Sequence, residues 1–172
     1  MKPFALSFFL PLAFSACTGN PPGGAVIQEG ASLLTGLTVS QMNGTQLKWS
    51  LASKTARFED GETRIYFYNP KMDLFENNKL TSKLKADAGF LNMTRKDAQL
   101  EKDVRVESKT DGMILLTRKL FFSSGKNKIW TDDPVTIHKG NTVIKGRGFT
   151  ANPDLSEIAI TQQETTTLEK KR

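Results

Sequence analysis

The side chains that could carry chemistry are few and widely spaced along this 172-residue chain. Its single histidine, His138, has no second histidine and no nearby cysteine, so it cannot complete an ordinary zinc site. A Ser-His-acid triad would need that same histidine, and the chain contains no G-x-S-x-G segment. Carboxylates gather at turn positions such as Glu59-Asp60 and Asp132-Asp133, where turn chemistry explains them. The sequence therefore predicts no enzyme, no catalytic residue, no metal site and no cofactor.

A glycine-rich segment, Gly146-Arg147-Gly148, has the composition of a phosphate-binding loop but not its context. A phosphate loop continues into Lys-Ser or Lys-Thr and opens a helix, and neither follows here. Glycine inside a strand usually marks a kink or a close approach of another backbone. We therefore predict a structural role for both glycines.

The one cysteine, Cys17, excludes an internal disulfide and ends an export signal. Lys2 supplies the positive start, and residues 4–14 form an apolar segment of about eleven residues, too short to span a bilayer. Small residues then lead into Cys17, which resembles a bacterial lipoprotein signal, although Phe14 stands where leucine is usual. We predict that Cys17 is lipidated and anchors the protein to a membrane. Ordinary cleavage with a free thiol is the alternative.

The chain is basic, with a net charge of +6 and a pI near 9.5. Such a balance suggests an anionic partner, either nucleic acid, a membrane surface or a phosphorylated lipid. No long run of lysine or arginine is present, so a basic but merely solvated surface explains the charge equally well.

Strict alternation of apolar and polar residues organises the rest of the chain. Ser82, Leu84 and Ala86 share one face of a segment whose other face carries Lys83 and Lys85. A period of two indicates a half-buried strand. Similar segments recur along the chain, and one apolar residue of each, here called its anchor, occupies the corresponding position. Successive anchors lie roughly 30 residues apart, which indicates one supersecondary unit used repeatedly. These anchors are Leu51, Leu84, Leu116 and Ile144.

Turn signals separate these segments at roughly ten-residue spacing, and no segment keeps a helical period. The sequence therefore predicts an all-β sandwich or roll of stacked hairpins. We divide the chain into a signal peptide (1–16), a lipidated cysteine with a flexible tether (17–36), the β domain (37–160) and a polar tail (161–172). Lys102 interrupts one alternating segment and predicts a β-bulge.

Several short segments of the β domain form a distinctive series by their order and spacing. They are Trp49-Ser50-Leu51-Ala52 with Ala56, Asn69-Pro70, Leu84-Lys85-Ala86-Asp87 with Gly89, residues 104–108 before Asp111-Gly112, residues 131–137, and residues 144–151. Together they resemble the LptC family of lipopolysaccharide-export proteins in the OstA-like superfamily. The resemblance covers roughly residues 37–160.

The resemblance implies a twisted open β-jellyroll and a non-enzymatic role in the periplasm. Members pass lipopolysaccharide from an inner-membrane ABC transporter to the next periplasmic jellyroll, with the acyl chains in an apolar groove. Together with the alternation, this predicts a lipid groove lined by Trp49, Leu51, Ile65, Phe67, Leu84, Ala86, Val104, Val106, Ile114, Leu116, Leu120, Ile129, Val135, Ile137 and Ile144. Each of these residues is equally compatible with a closed core. Nucleic acid is not expected as a partner.

The predicted last strand supplies a partner-docking edge, because nothing after it is expected to cover it. The docking residues are Leu155, Ile158, Ala159 and Ile160. The expected anchor departs from the family, whose familiar members use a transmembrane helix, and we favour the inner over the outer membrane. The alternative function is an outer-membrane lipoprotein that binds another lipid or scaffolds an assembly. A closed core would favour the scaffold, and a continuous apolar slot would favour transport.

Overall fold

The computed structural model of the protein describes residues 31–59, 61 and 63–167. Predicted features before residue 31 or after residue 167, including the Cys17 anchor, lie outside these described residues. The described chain forms antiparallel strands throughout. The strands are β1 (Ala31–Asn43), β2 (Gln46–Glu59), β3 (Arg64–Tyr68), β4 (Lys71–Glu76), β5 (Lys79–Lys85), β6 (Ala88–Asn92), β7 (Asp97–Ser108), β8 (Ile114–Ser123), β9 (Lys128–Lys139), β10 (Thr142–Ala151) and β11 (Ile158–Thr167).

The strands make one continuous sheet with two ends. From β7 the sheet runs through β8, β9 and β10 to β11, and each of these strands pairs with the next along the chain. On the other side, the short pairs β4–β5 and β3–β6 both lie between the long strands β2 and β7. Among the described strands, β1 pairs only with β2, and β11 pairs only with β10. Both ends of the sheet are therefore unpaired edges within the described chain.

A line of irregular backbone, here called the crease, crosses the sheet through Asn69, Asp87 and Lys102. At the boundary between β3 and β4, the backbone N–H of Asn69 donates to the carbonyl of Asp87 over 2.8 Å, and Asp87 N–H donates to Lys102 over 3.1 Å. Asn69 and Lys102 have positive φ angles of 50° and 61°. The pairing of β7 with β8 shifts register beside Lys102, which confirms the predicted bulge. Bulges increase local twist, so the crease helps to roll the sheet around its apolar face.

That apolar face forms one hydrophobic core drawn from β2 to β10, with Leu155 from the connection that follows. Trp49, Leu51, Leu84, Val106 and Ile129 are each at most 1% exposed. The twisted, open all-β jellyroll predicted from alternation and resemblance is confirmed.

One strand has the opposite phase from the prediction. Leu116 is 37% exposed and Ile114 is only partly buried, while Leu115 is fully buried, so the predicted inward orientation of Leu116 is wrong. A register shift between Thr117 and Phe121 changes the phase, and Leu120 thus shares the inner face with Leu115. Ile144 on β10 is partly buried and packs at the margin of the core.

The strands also extend beyond the predicted limits of residues 37 and 160. β1 begins at Ala31, and β11 continues to Thr167. Both are edge strands that hydrogen-bond to a single neighbour, so their outer residues need little apolar burial and show little alternation. Leu155 was predicted to open the last strand but lies in the connection between β10 and β11 instead, where it is 6% exposed.

Candidate lipid-binding interior and docking edges

The candidate interior site is apolar and carries no charge. Among the described residues, the buried polar side chains are hydroxyls and one amide, with no buried carboxylate, lysine or arginine. Most buried hydroxyls donate to a backbone carbonyl: Thr81 Oγ1 donates to Leu74 over 3.1 Å, and Thr117 Oγ1 donates to Pro134 over 3.0 Å. Burial without a partner would be costly, and these bonds remove that cost. The interior therefore suits hydrocarbon rather than a charged head group.

The structure places most of the predicted groove residues together on this inner face. The residues that are at most 8% exposed are Trp49, Leu51, Ile65, Phe67, Leu84, Ala86, Val104, Val106, Leu120, Ile129, Val135 and Ile137. They pack against one another as a core, so this conformation holds no continuous open slot along them. Their role in binding lipid stays a prediction.

Several inner-face residues were missing from the predicted groove. They are Met72, Leu74, Leu91, Met113, Leu115, Phe122, Phe149 and Ala151. Met72 and Leu74 alternate in the sequence and could have been found by the same rule. Leu115 could not, because the run Ile114-Leu115-Leu116 is apolar on both faces and alternation does not set its phase.

A cavity of about 410 Å³ lies at one end of the interior. Trp49 and Phe122 form part of its wall, in an edge-to-face contact with ring centroids 6.2 Å apart. The indole N–H of Trp49 donates to Gln41 Oε1 over 2.8 Å, which fixes the ring against β1. The rest of the lining is mostly polar, so the cavity joins the apolar core to an aqueous rim.

A second cavity, of about 390 Å³, has a charged rim on the turn that links β7 to β8. Lys139 Nζ lies 2.7 Å from Asp111 Oδ2 across it. The hydrogen bond from Lys139, followed by that from Ser108, lowers the pKa of Asp111 to about 2. On the neighbouring segment, the hydrogen bond and charge of Lys109 lower the pKa of Glu107. These pairs keep charge at the rim and out of the interior.

The outer face of the sheet carries aromatic rings and cations that pair across strands. Tyr66 and Phe90 are opposite each other on β3 and β6, and Phe121 stacks on Trp130 with centroids 5.4 Å apart. The guanidinium of Arg57 lies 5.1 Å from the centroid of Tyr66. Such cross-strand pairs stabilise the sheet, and they explain these outward aromatic residues without a ligand.

Each of the two edge strands carries some apolar side chains that are exposed and others that touch the core. In β11, Ile158 is 39% exposed and Ala159 is exposed, whereas Ile160 packs against the core. In β1, Leu33 is 53% exposed, and Leu37 and Val39 touch the core. Both edges thus combine an unpaired backbone with apolar side chains, which is the requirement for adding a strand from another chain.

The described residues contain no metal-binding group of three or more His, Cys, Asp or Glu side chains. His138 is exposed at the end of β9. Within the same residues, no helix has the length and apolar character needed to cross a membrane.

An antiparallel sheet rolled around one apolar face and left open at both edges defines the class of open β-jellyroll proteins. A solved structure of this class resembles the chain: LptH of Pseudomonas aeruginosa, described as the LptA-homologous periplasmic component of the lipopolysaccharide transport device. The TM-score is 0.56 at 8% identity, covering 70% of this chain and 95% of that one, so the likeness concerns the fold. No curated protein matches the chain.

The family model for LptC-related lipopolysaccharide-assembly proteins matches residues 35–169. The chain belongs to this family, which confirms the resemblance seen in the sequence.

Proposed function

We propose that this protein carries lipopolysaccharide through the periplasm without changing it chemically. It receives the lipid from an inner-membrane ABC transporter and passes it to the next jellyroll of an export bridge. Family membership supports lipopolysaccharide as the cargo. The observation that carries the mechanism is the single rolled sheet, whose apolar inner face ends at two unpaired edges, β1 and β11.

The division of polarity across the sheet supports this role. Lipopolysaccharide has hydrocarbon chains and a charged sugar-phosphate head, which need different surroundings. The inner face supplies apolar side chains without buried charge, and outward lysines such as Lys85 and Lys145 are exposed. Burial of each methylene of an acyl chain contributes about 0.8 kcal/mol. The acyl chains would therefore occupy the interior while the head group stays in water.

The unpaired edges supply the contact with the next jellyroll. In this proposal Ile158, Ala159 and Ile160 of β11 pair with an edge strand of the partner, so that the two inner faces become continuous. Leu155 is not part of this edge, because it lies before β11 and is buried. The lipidated Cys17 would hold the domain at the inner membrane, beside the transporter.

The closed core favours a second candidate, an outer-membrane lipoprotein that scaffolds an assembly or binds another lipid. Leu51, Leu84 and Val106 are fully buried by other side chains, so the described interior leaves no room for acyl chains along them. A scaffold would keep this packing throughout its work. A carrier must open the packed core to admit acyl chains, so the two candidates differ in whether the core opens.

Photo-crosslinking at adjacent leucines separates the candidates. Leu115 is fully buried, and Leu116 is 37% exposed on the opposite face. A photoreactive residue at either position replaces a leucine, so the two variants differ in the face of the sheet that they probe. Leu84 and Lys85 form a second matched pair on β5. In growing cells, we expect lipopolysaccharide adducts at positions 115 and 84, and several-fold fewer at 116 and 85.

Equal labelling of both faces would contradict an inner lipid path. Adducts with another lipid at positions 115 and 84 would support the second candidate, and the mass of the adduct identifies the lipid.

A further inference from the structure

The connection between β10 and β11, residues 152–157, separates the two cavities. Asn152, Pro153 and Asp154 line the cavity of about 410 Å³, together with Trp49 and Phe122. Asp154, Leu155 and Ser156 line the cavity of about 390 Å³, which Ser108 and Asp111 border on its far side. Asp154 borders both, so this connection is the partition between them.

Leu155 closes the partition in a strained conformation. Its side chain is buried, with 6% exposure, and its φ is +61°. The other described non-glycine residues with positive φ are asparagines, lysines and one aspartate, all polar. A bulky aliphatic residue is unfavourable there, because its Cβ crowds the backbone. Burial of the Leu155 side chain therefore holds a backbone that would relax if the side chain were released.

Hydrogen bonds within the connection hold its shape, and a side-chain hydrogen bond ties it to β5. Asn152 Oδ1 accepts from Glu157 N–H and Asp154 Oδ1 accepts from Ser156 N–H, each over 3.0 Å. The buried Ser82 of β5 donates its hydroxyl to the Pro153 carbonyl over 2.8 Å, 71 positions apart in sequence. Internal bonds would let the connection move as a unit, and such a move would break the Ser82 bond and withdraw Leu155.

We infer that residues 152–157 form a plug, which blocks the interior while Leu155 is inserted and joins the two cavities when it withdraws. The inference rests on the proposed function for its cargo: the joined cavity would admit the acyl chain of a lipid beside Trp49 and Phe122. It also supplies what the closed core lacks, a local opening that leaves the strands paired.

Thiol labelling of a buried reporter in the full-length protein tests the plug without any lipid. Ser82→Cys places a thiol beneath the Pro153 carbonyl, and Ala98→Cys, a position only 3% exposed on β7, is the control reporter. The parent chain without either substitution measures labelling at Cys17. When opening is fast, the labelling rate follows the population of the open state.

Leu155→Gly removes the side chain that fills the partition, while glycine adopts the positive φ without strain. We expect the free energy lost with the buried side chain to exceed the free energy gained by relieving the strain. Leu155→Asn also tolerates this φ but presents a polar side chain. We expect both to raise maleimide labelling of Ser82→Cys by about tenfold or more, with Ala98→Cys changed less than about twofold. Leu120→Ala is the matched control, a buried leucine outside the connection. If Leu120→Ala reproduces the selective rise, or the Leu155 variants raise both reporters equally, the plug is refuted.

A lipid measurement separates this inference from the proposed function. With a photoreactive residue at Phe122 in cells, Leu155→Gly should increase the capture of lipopolysaccharide several-fold over the chain with Leu155 intact. A selective rise in thiol labelling with no lipid captured in either chain would retain the plug as a device and overturn its lipid cargo. Unchanged thiol labelling together with capture in both chains would overturn the plug and leave the proposed function standing.

Discussion

The absence of a side chain at Gly146 of β10 allows the edge strand β11 to approach β10 closely. A Cβ atom built there would lie 2.5 Å from Cγ2 of Ile160 and closer still to the carbonyl oxygen of Gln162, both on β11. Gly148 adopts a φ of +75° beside the register shift of β10. The close approach and kink predicted for these two glycines are therefore confirmed. The same features bring β11 tightly against β10.

Gly146→Ala is expected to destabilise the protein by about 1–3 kcal/mol, because β11 must shift to accommodate the methyl group. Urea unfolding measures the change. Gly125→Ala is the matched control: a Cβ there meets nothing within 4 Å and the φ is not in the left-handed region, so its effect should stay within about 0.5 kcal/mol. Similar losses in both variants would show that the contact with β11 is not the cause.

The Asp111–Lys139 pair predicts a specific dependence of stability on pH. Hydrogen bonds from Lys139 and then Ser108 are the largest causes that lower the pKa of Asp111 from 3.8 to about 2 in the folded protein. A depressed carboxyl pKa contributes stability that is present above about pH 4 and lost as the pH falls toward 2. The side chains are 57% and 35% exposed, so solvent screening limits the contribution to below about 1 kcal/mol.

Lys139→Met should therefore lower the free energy of unfolding at pH 7 by less than about 1 kcal/mol, and the difference should shrink as the pH falls through about 2, where Asp111 becomes protonated. Urea unfolding at both pH values measures it, with NMR titration following the rise in the Asp111 pKa. Lys145→Met, at an exposed position on β10, is the control and should not alter that pKa. A deficit that persists unchanged at pH 2 would assign it to lost packing instead.

At the scale of the element, β11 joins the sheet through one neighbour, and no other described strand pairs with its second edge. Ala159 pairs with Thr150 of β10, and Ile160 pairs with Phe149. Successive backbone N–H groups of a strand point to opposite sides, so one of Ala159 and Ile160 donates toward β10 and the other toward the free edge. This alternation provides two adjacent positions with different consequences for the same substitution.

Proline at each position in turn tests whether β11 is the docking edge. One of Ala159→Pro and Ile160→Pro should reduce stability by removing a bond to β10. The other should leave the domain folded and reduce capture of the periplasmic jellyroll partner at least about tenfold. Circular dichroism reports folding, and a pull-down reports binding. If the folded variant retains full partner binding, the docking edge is not β11, and β1 becomes the edge to test.

At the scale of the whole molecule, a single rolled sheet encloses its core with no disulfide, because Cys17 is the one cysteine. The free edges and the apolar interior belong to one continuous surface, so a partner strand added at β11 would extend the inner face directly. The proposed path of the lipid therefore depends on the roll as a unit rather than on a local pocket.

The predicted anchoring of the whole molecule rests on Cys17, which lies outside the described range. We expect Cys17→Ala to release the protein from membranes or to leave its precursor uncleaved, because the lipidated thiol would be lost. Membrane fractionation with intact-mass measurement checks both results. Ser15→Ala, a small-residue exchange within the same signal, should preserve processing. Correctly processed and membrane-bound Cys17→Ala protein would remove the lipoprotein prediction.

The sequence by itself determined the class of fold and most of the inner face. Alternation in segments such as β5 separates Leu84 from Lys83 and Lys85, and burial follows from that period because successive strand side chains point to opposite faces. Lys102 marked a bulge and Gly148 a kink, since each disturbs a local rule of strand geometry. These signals are local, and local sequence is sufficient to place them.

Only the tertiary structure decided the phase of β8, the position of Leu155 and the extent of the edges. Ile114, Leu115 and Leu116 are all apolar, so the facing layer selects Leu115 for the core. Leu155 is buried in a core formed by strands from β2 to β10, and its positive φ has no sequence signal. Backbone pairing with β10 holds the polar end of β11. The pattern of apolar and polar side chains carries no information about that pairing. Each decision depends on long-range packing, which no local pattern contains.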